Sequence, residues 1–263
     1  MNLDLLTQQT IEVVKRASAF IQQEANTFNS ERIEYKDVNN LVSYVDKETE
    51  KLLVAGLREI LPEASFITEE GTTGEEKNTE ALNWIIDPLD GTTNFVHGLP
   101  VYCVSVGLVR GKEPLIGVIH EPNLDEMFYG WQGGGAWCNG RRLQVSQARH
   151  LSESLVATGF PYRLFEKQNR YMDILGALMR KTHGVRRLGA AAVDLAYVAA
   201  GRFEAFYEYN LHSWDMAAGV LLIQEAGGIV TDFAGHDNYL FGGDVVAACA
   251  MHGELLEVIN EHF

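Results

Sequence analysis

The stretch Trp84-Ile85-Ile86-Asp87-Pro88-Leu89-Asp90-Gly91-Thr92-Thr93-Asn94 restricts the fold more than any other part of the chain. An apolar strand that runs into two carboxylates cannot be sealed inside a hydrocarbon core, because buried charge is costly unless something positive meets it. Pro88 biases Asp87 toward an extended conformation. The strand "WIID" is therefore expected to finish with Asp87 at a sheet edge and Asp90 about one turn onward. Two hard oxygen donors this close, with no Cys or His beside them except His97, suit Mg2+ or Mn2+ better than zinc. The "GTTN" that follows offers a flexible Gly91 and two hydroxyls where a helix can begin, and free N–H groups at such a start bind phosphate oxygens. Alone, the pattern also fits a strand-end turn with capping aspartates. A calcium-binding loop is excluded, because the twelfth position counted from Asp87 is Gly98 and from Asp90 is Val101, where a bidentate Glu is required.

With 263 residues, 46% of them hydrophobic, the chain can bury a full core in one large domain or two small ones. Its 36 acidic against 21 basic side chains give a formal charge of -15. That balance argues against a nucleic-acid or anionic-membrane surface, which needs clustered Lys and Arg. Local cations must overcome the same background if the substrate is an anion. Cys103, Cys138 and Cys249 show no C-x-x-C spacing, and Cys103 and Cys249 sit in apolar, strand-like runs that suit buried thiols. The opening "MNLDLLTQQT" lacks the basic start and apolar centre of a secretion signal. The most continuous apolar run, "VYCVSVGLV", is far shorter than the ~20 residues that span a bilayer. A soluble, cytoplasmic protein is expected.

Leu6, Val14, Ala17, Ile21, Ala25 and Phe28 fall at helical spacing, and a second helix is expected to follow Asp46 and end before Pro62. Strands are expected at "SFIT", "NWII", "VYCVSVGLV", "PLIGVIH", "EMFYGW" and "RLQVS", with Asn139-Gly140 a hairpin turn. Beyond about residue 150 strands and helices alternate. The strands are "SLVATGF", "GVRRL", "FEAFYEY" and "IVTDF"; the helices are "NRYMDILGALMRK", "AAVDLAYVAAG" and "WDMAAGVLLIQEAGG". The pattern predicts an α/β protein with an N-terminal α+β half, 1–150, and a C-terminal α/β half, 151–263. The acidic "EEGTTGEEKNTE" reads as one exposed, mobile loop. "GWQGGG" is Gly-rich but lacks a following helix and reads as a turn.

A second constellation, "HSWDMAAGVLLIQEAGG", places Ser213 as the expected N-cap and Asp215 in the first turn of a long apolar helix ending at Gly227-Gly228. Taken alone, Asp215 also fits simple compensation of the helix dipole. Together with "TEE" at 68–70 and "WIIDPLDGTTNF" at 84–95, in the same order and spacing, it closely resembles the signatures of the inositol monophosphatase family. "GGAWCNGRRLQVS" and "FYEYNLHSWD" extend the resemblance over nearly the whole chain.

The resemblance implies a layered α/β/α/β/α sandwich of the inositol monophosphatase and fructose bisphosphatase type, a Mg2+-dependent, Li+-sensitive phosphomonoesterase, and commonly a homodimer. By matching position it implies that Glu69, Asp87 and the Leu89 carbonyl hold one metal and that Asp87, Asp90 and Asp215 hold a second, with a third, weaker ion near Glu69. It assigns Thr92, oriented by Asp46, to the attacking water. Asp90, Gly91, Thr92 and Thr93 would meet the phosphate, and Gly189, Ala190, Ala191 and Glu208 the inositol hydroxyls. Without the resemblance, Thr92 and Asp46 also read as helix caps, and Glu208 as a charge at a strand end. Thr68 stands where many relatives have Gly, and "GAAA", Gly189–Ala192, lacks a hydroxyl that some carry. His97, His120 and His212 read as structural or substrate-neighbouring. The implied partner is a small phosphate ester, with inositol monophosphate preferred over fructose bisphosphate, adenosine 3',5'-bisphosphate and histidinol phosphate. Nucleotide and histidinol phosphatases usually show Lys where this chain has Thr93. A metal-dependent protein that binds phosphorylated ligands without turnover is the alternative from another class.

Overall fold

The computed structural model describes residues 1–25, 33–37, 40–75, 78–161 and 166–263. Helix α1 (Leu3–Ala25) buries Leu6, Val14, Ala17 and Ile21 along one face. Ala25, at its end, is exposed, and Phe28 lies outside the described residues. Two strands not expected from the pattern, β1 (Ile33–Asp37) and β2 (Asn40–Ser43), form an antiparallel pair before helix α2 (Tyr44–Ile60). This helix begins earlier than expected. Ser43 is its N-cap and accepts the Val45 N–H at 3.1 Å, while Asp46, inside the first turn, accepts the Ser43 N–H at 2.7 Å. The two side chains form a reciprocal capping box, in which Asp replaces the usual Glu or Gln.

The larger sheet has seven strands in sequence order, β3 (Ser65–Thr68), β4 (Leu82–Asp90), β5 (Cys103–Arg110), β6 (Glu113–Glu121), β7 (Glu126–Trp131), β8 (Gly135–Cys138) and β9 (Arg141–Arg142). Only β3 and β4 run parallel. Of the strand expected at "RLQVS" only Arg142 lies in a strand, the two-residue β9. Leu143 N–H still bonds to Ala136 of β8 at 2.8 Å, but Val145 N–H turns away to Ala226 at 3.1 Å. Asn139 and Gly140 close the β8–β9 turn at φ 47° and 78°, the left-handed pair that a two-residue hairpin needs. Of the acidic "EEGTTGEEKNTE", residues 76 and 77 lie outside the described residues, and the part around residues 70–72 is more tethered than a free loop. The fully buried Glu50 carboxylate accepts the N–H groups of Glu70 and Thr72, both at 2.7 Å, and so fixes the backbone beside Glu69.

The second sheet contains β10 (Leu155–Thr158), β11 (Gly184–Arg186), β12 (Ala205–Glu208), β13 (Ile229–Thr231) and β14 (Val245–Ala248), ordered β11-β10-β12-β14-β13. Strands β11, β10 and β12 are parallel, and β14 runs antiparallel to both its neighbours. The remaining α-helices among the described residues are α3 (Thr92–Val96), α4 (Gln168–Lys181), α5 (Ala191–Ala199), α6 (Ser213–Glu225), α7 (Tyr239–Gly242) and α8 (His252–His262). Packing α1 and α2 outside the larger sheet, α5 and α6 between the sheets, and α4 and α8 outside the smaller one gives five layers, α/β/α/β/α.

The centre of this stack depends on missing side chains. Gly107, Gly117 and Gly130 stand in register across β5, β6 and β7 and open a channel across the sheet. A Cβ on Gly107 would lie 2.8 Å from the Ala217 Cβ, and one on Gly117 only 2.5 Å from the Ala218 carbonyl oxygen. Helix α6 therefore lies directly on the sheet, buried continuously from Met216 to Ile223, as expected of a helix that is apolar all round. Its first turn carries Asp215, so this close contact sets where that carboxylate stands.

Candidate active site

The strand bearing the two aspartates does not stop at Asp87. Strand β4 continues to Asp90 through a bulge, with Asp87 opposite Ser105 and Asp90 opposite Cys103, so three steps on β4 match two on β5. Side chains alternate faces along a strand, and three regular steps would point Asp87 and Asp90 in opposite directions. The extra residue restores the parity and puts both carboxylates on one face. Pro88, which has no N–H to give a ladder, sits inside the irregularity.

That face looks toward the start of α6. One carboxylate oxygen from each of Asp87, Asp90 and Asp215 lies within 4.8 Å of the others. Asp215 accepts the His212 N–H at 2.6 Å, closing the first turn of α6; His212, not Ser213, is its N-cap. Asp90 accepts the Ala192 N–H at 2.6 Å from the first turn of α5, tying the larger sheet to the middle layer. Glu69, half-buried at the end of β3, shares a hydrogen bond with Asp87. Leu89, also assigned to the metal, is buried, and its carbonyl lies 3.0 Å from Thr92 Oγ1.

Among the described residues, no Lys or Arg stands among the main charges acting on this group. Burial, then the neighbouring Glu69, Asp90 and Asp215, push Asp87 well above the usual carboxylate range. Burial raises Asp90 to about 7, although the Ala192 N–H opposes it. Asp215 is raised well above its ordinary value by burial and then by Asp90. Acids that pack this closely without a cation must hold protons or meet metal ions. An all-oxygen donor set suits Mg2+ or a similar hard divalent ion.

Thr92, the first residue of α3, donates its hydroxyl to Asp46 Oδ1 at 2.7 Å. The helix N-cap is Gly91, whose φ of 92° and position 2.9 Å from the Val101 carbonyl, measured from an added Cβ, leave room only for glycine. Asp46 is buried and its pKa is raised by that burial against the opposing hydrogen bonds from Ser43 and Thr92. Thr93 sits half-buried in the same first turn.

A cavity of about 420 Å³ opens beside the carboxylates. Glu69, Asp90, Asp215, Gly189, Ala190, Ala191 and Glu208 all border it, which brings three of the residues expected to hold metal and those expected to meet the substrate alcohol into one space; Asp87 and Leu89 do not border it. Gly91, Thr92 and Thr93 adjoin Asp90 without bordering the cavity. Glu208 ends β12 and is pushed up to about 8 by burial, opposed by Arg187. Its carboxylate lies so close to Gly159 that a Cβ there would come within 2.1 Å of it. The bordering residues not assigned from sequence include Arg187, the single Lys or Arg among the described lining residues; Asp194; and Trp214, stacked on His212 at 4.6 Å. A charged residue inside the apolar "AAVDLAYVAA" was the available signal for Asp194. His120 pairs with Asp125 at 3.3 Å away from the site, and His97 is an exposed helix end.

A five-layer α/β fold with a buried carboxylate cluster at the head of its central helix defines a class of metal-dependent phosphoester enzymes. The chain belongs to the inositol monophosphatase family, whose model matches residues 2–263. It is 41% identical over 239 residues to the protein named Nus factor SuhB in Escherichia coli K12, covering 90% of this chain and 88% of that protein. Among solved structures it is similar to extragenic suppressor protein SuhB from Bartonella henselae, with 34% identity, TM-score 0.90 and coverage of 97% and 98% of the two chains. It is also similar to the IMPase of Thermotoga maritima, with 33% identity, TM-score 0.85 and coverage of 95% of each chain.

Proposed function

We propose that this protein is a Mg2+-dependent phosphomonoesterase that hydrolyses myo-inositol monophosphate to inositol and phosphate. The observation that carries the reading is the convergence of Asp87, Asp90 and Asp215 within 4.8 Å of one another beside the Thr92–Asp46 hydrogen bond, in a chain of this family. Glu69, Asp87 and the Leu89 carbonyl would hold one ion, and Asp87, Asp90 and Asp215 another, with room for a weaker third near Glu69. Bound Mg2+ supplies the positive charge that makes water a stronger acid and the departing alcohol a better leaving group.

The chain's own groups do the rest. Thr92 donates its hydroxyl hydrogen bond to Asp46, which leaves the hydroxyl lone pairs to accept a hydrogen bond from the attacking water and aim it at phosphorus. The buried Asp46, raised above the ordinary carboxylate range, is the base toward which a proton can pass through Thr92. The N–H groups at Gly91, Thr92 and Thr93 face the phosphate as donors at a helix start. Backbone at Gly189, Ala190 and Ala191, with the Glu208 carboxylate, receives the alcohol. Phosphate goes directly to water, with no phosphoenzyme.

Inorganic phosphate released from myo-inositol 1-phosphate, with and without Mg2+, tests the reading, and equal release in EDTA would refute it. The same assay with fructose 1,6-bisphosphate, adenosine 3',5'-bisphosphate and histidinol phosphate ranks the related substrates. Millimolar Li+ is expected to inhibit, and light scattering to report a homodimer; the setting is cytoplasmic. The name of the Escherichia coli relative supports a second reading, a Nus factor role that does not require turnover. Complementation of a strain lacking that relative by Asp87→Asn as well as by the wild type would favour it.

A further inference from the structure

Asp194 stands in the first turn of α5 among Val193, Leu195, Ala196 and Val198, all buried, and is itself 1% exposed. Its Oδ1 is enclosed and has no hydrogen-bond partner among the described residues. A buried acid in that position destabilises the empty protein, since the field at the helix start compensates only part of the lost hydration. Leu or Ala would pack better. Yet the side chain borders the same cavity as Glu208 and Asp90, and both raise its pKa through their charge after burial has done so first, while Arg187 opposes them. The cavity wall beside the carboxylate cluster thus presents two acidic side chains, Asp194 and Glu208, with one guanidinium acting on both.

We propose that Asp194 is a specificity-determining residue that, with Glu208, accepts hydrogen bonds from hydroxyls on the alcohol half of the substrate. The assignment rests on the phosphatase reading and adds Asp194 to the groups that select the alcohol half of its substrate. A hydroxyl matches the wall because it both donates to a carboxylate and accepts from a guanidinium. An ammonium group can only donate, and Arg187 would repel it. A site built on buried acceptors also rejects alcohols that lack the hydroxyl, because those acceptors are then left unpaired. This gives a reason for keeping an acid in a helix that otherwise excludes polar side chains.

The test compares wild type, Asp194→Ala and Asp194→Asn on myo-inositol 1-phosphate, p-nitrophenyl phosphate and O-phosphoethanolamine, and measures the Tm of each ligand-free protein. For inositol 1-phosphate, Asp194→Ala is expected to raise KM about tenfold or more, the range for a hydrogen bond to a charged group. Asp194→Asn, which keeps an acceptor oxygen, recovers much of that loss. The change on p-nitrophenyl phosphate is far smaller, and neither variant melts below wild type. A lower Tm with equal losses on every ester would make Asp194 structural and overturn the proposal, and so would a loss confined to phosphoethanolamine. Wild type that releases phosphate while Asp194→Ala matches it on inositol 1-phosphate refutes only the Asp194 assignment. Wild type inactive on every ester refutes the phosphatase reading, and the assignment with it.

Discussion

Replacing Gly117 by Ala tests whether contact between the larger sheet and α6 fixes the metal cluster. The new Cβ would lie 2.5 Å from the Ala218 carbonyl oxygen and 3.0 Å from its Cα, and contacts below 3.0 Å are essentially never found. The obstacle is backbone, not the end of a flexible side chain. Helix α6 must therefore retreat by at least about 0.5 Å, against a core packed as densely as an organic crystal. Overpacking of this kind costs roughly 1–3 kcal/mol. For a chain of this size about 2 kcal/mol lowers Tm by some 4–8 °C. The displaced helix carries Asp215, and misplacement near 1 Å costs about a hundredfold in rate, so a loss of roughly 10- to 100-fold in kcat is expected. The Mg2+ concentration for half-maximal activity should rise with it. Gly253 in α8 is the control: an added Cβ there meets nothing within 4 Å, and Gly253→Ala should gain about 0.5–1 kcal/mol from helix propensity. Calorimetry and a Mg2+ titration of phosphate release provide both readouts. Normal stability and normal Mg2+ dependence in Gly117→Ala would show that the sheet–helix contact does not position Asp215.

Asp87→Asn should lower turnover more than 10²-fold, roughly 3 kcal/mol of barrier, while the fold persists, and near-normal activity at saturating Mg2+ would rule out a shared ligand. In the absence of metal the same variant should melt no lower than wild type, since it removes one of several mutually repelling acids. Thr92→Ala should reduce kcat by about 10²–10³ with metal affinity nearly unchanged, and an unaltered kcat would leave Thr92 as a helix-start residue only. The ligand-free protein should lose stability as pH rises from about 4.5 through 8. Glu208 is raised to about 8 when folded, so the folded state binds more protons across that window and the slope of stability against pH is negative. The raised Asp90 and its neighbours add to the same slope, so Glu208→Gln should make it less steep in urea titrations at several pH values, and an unchanged slope would remove Glu208 as a contributor.

Much of the secondary structure was readable from period and punctuation. The alternation after residue 150 gave β10, α4, β11, α5, β12, α6 and β13 nearly in place, because each is short, bounded by turn residues and patterned along its own length. The pattern missed β14 and α8, and it missed β1 and β2, whose pairing with each other determines them more than any alternation does. The metal and substrate residues were not legible from periodicity at all. Asp87, Asp90 and the "GTTN" start were read from residue chemistry and the rest from resemblance to a family, and the reading of Asp46 as a capping residue holds, since the same carboxylate closes the start of α2 while it accepts from Thr92.

By itself, then, the sequence determined the identity of the acids, the glycine at the head of α3 and the apolar helix that must be buried, since those depend on residue chemistry and local spacing. Tertiary structure decided where they meet. The bulge between Asp87 and Asp90 reversed the parity of a strand, the Gly107–Gly117–Gly130 channel set the depth of α6, and Asp90 found the Ala192 N–H across 102 residues of chain. The Asp194 Oδ1, without a hydrogen-bond partner among the described residues, became visible only once α5 had been packed around it. The physical reason is that such contacts join segments separated by long loops. Their geometry is fixed by steric fit and by the need to satisfy buried polar groups, and neither leaves a period in the chain.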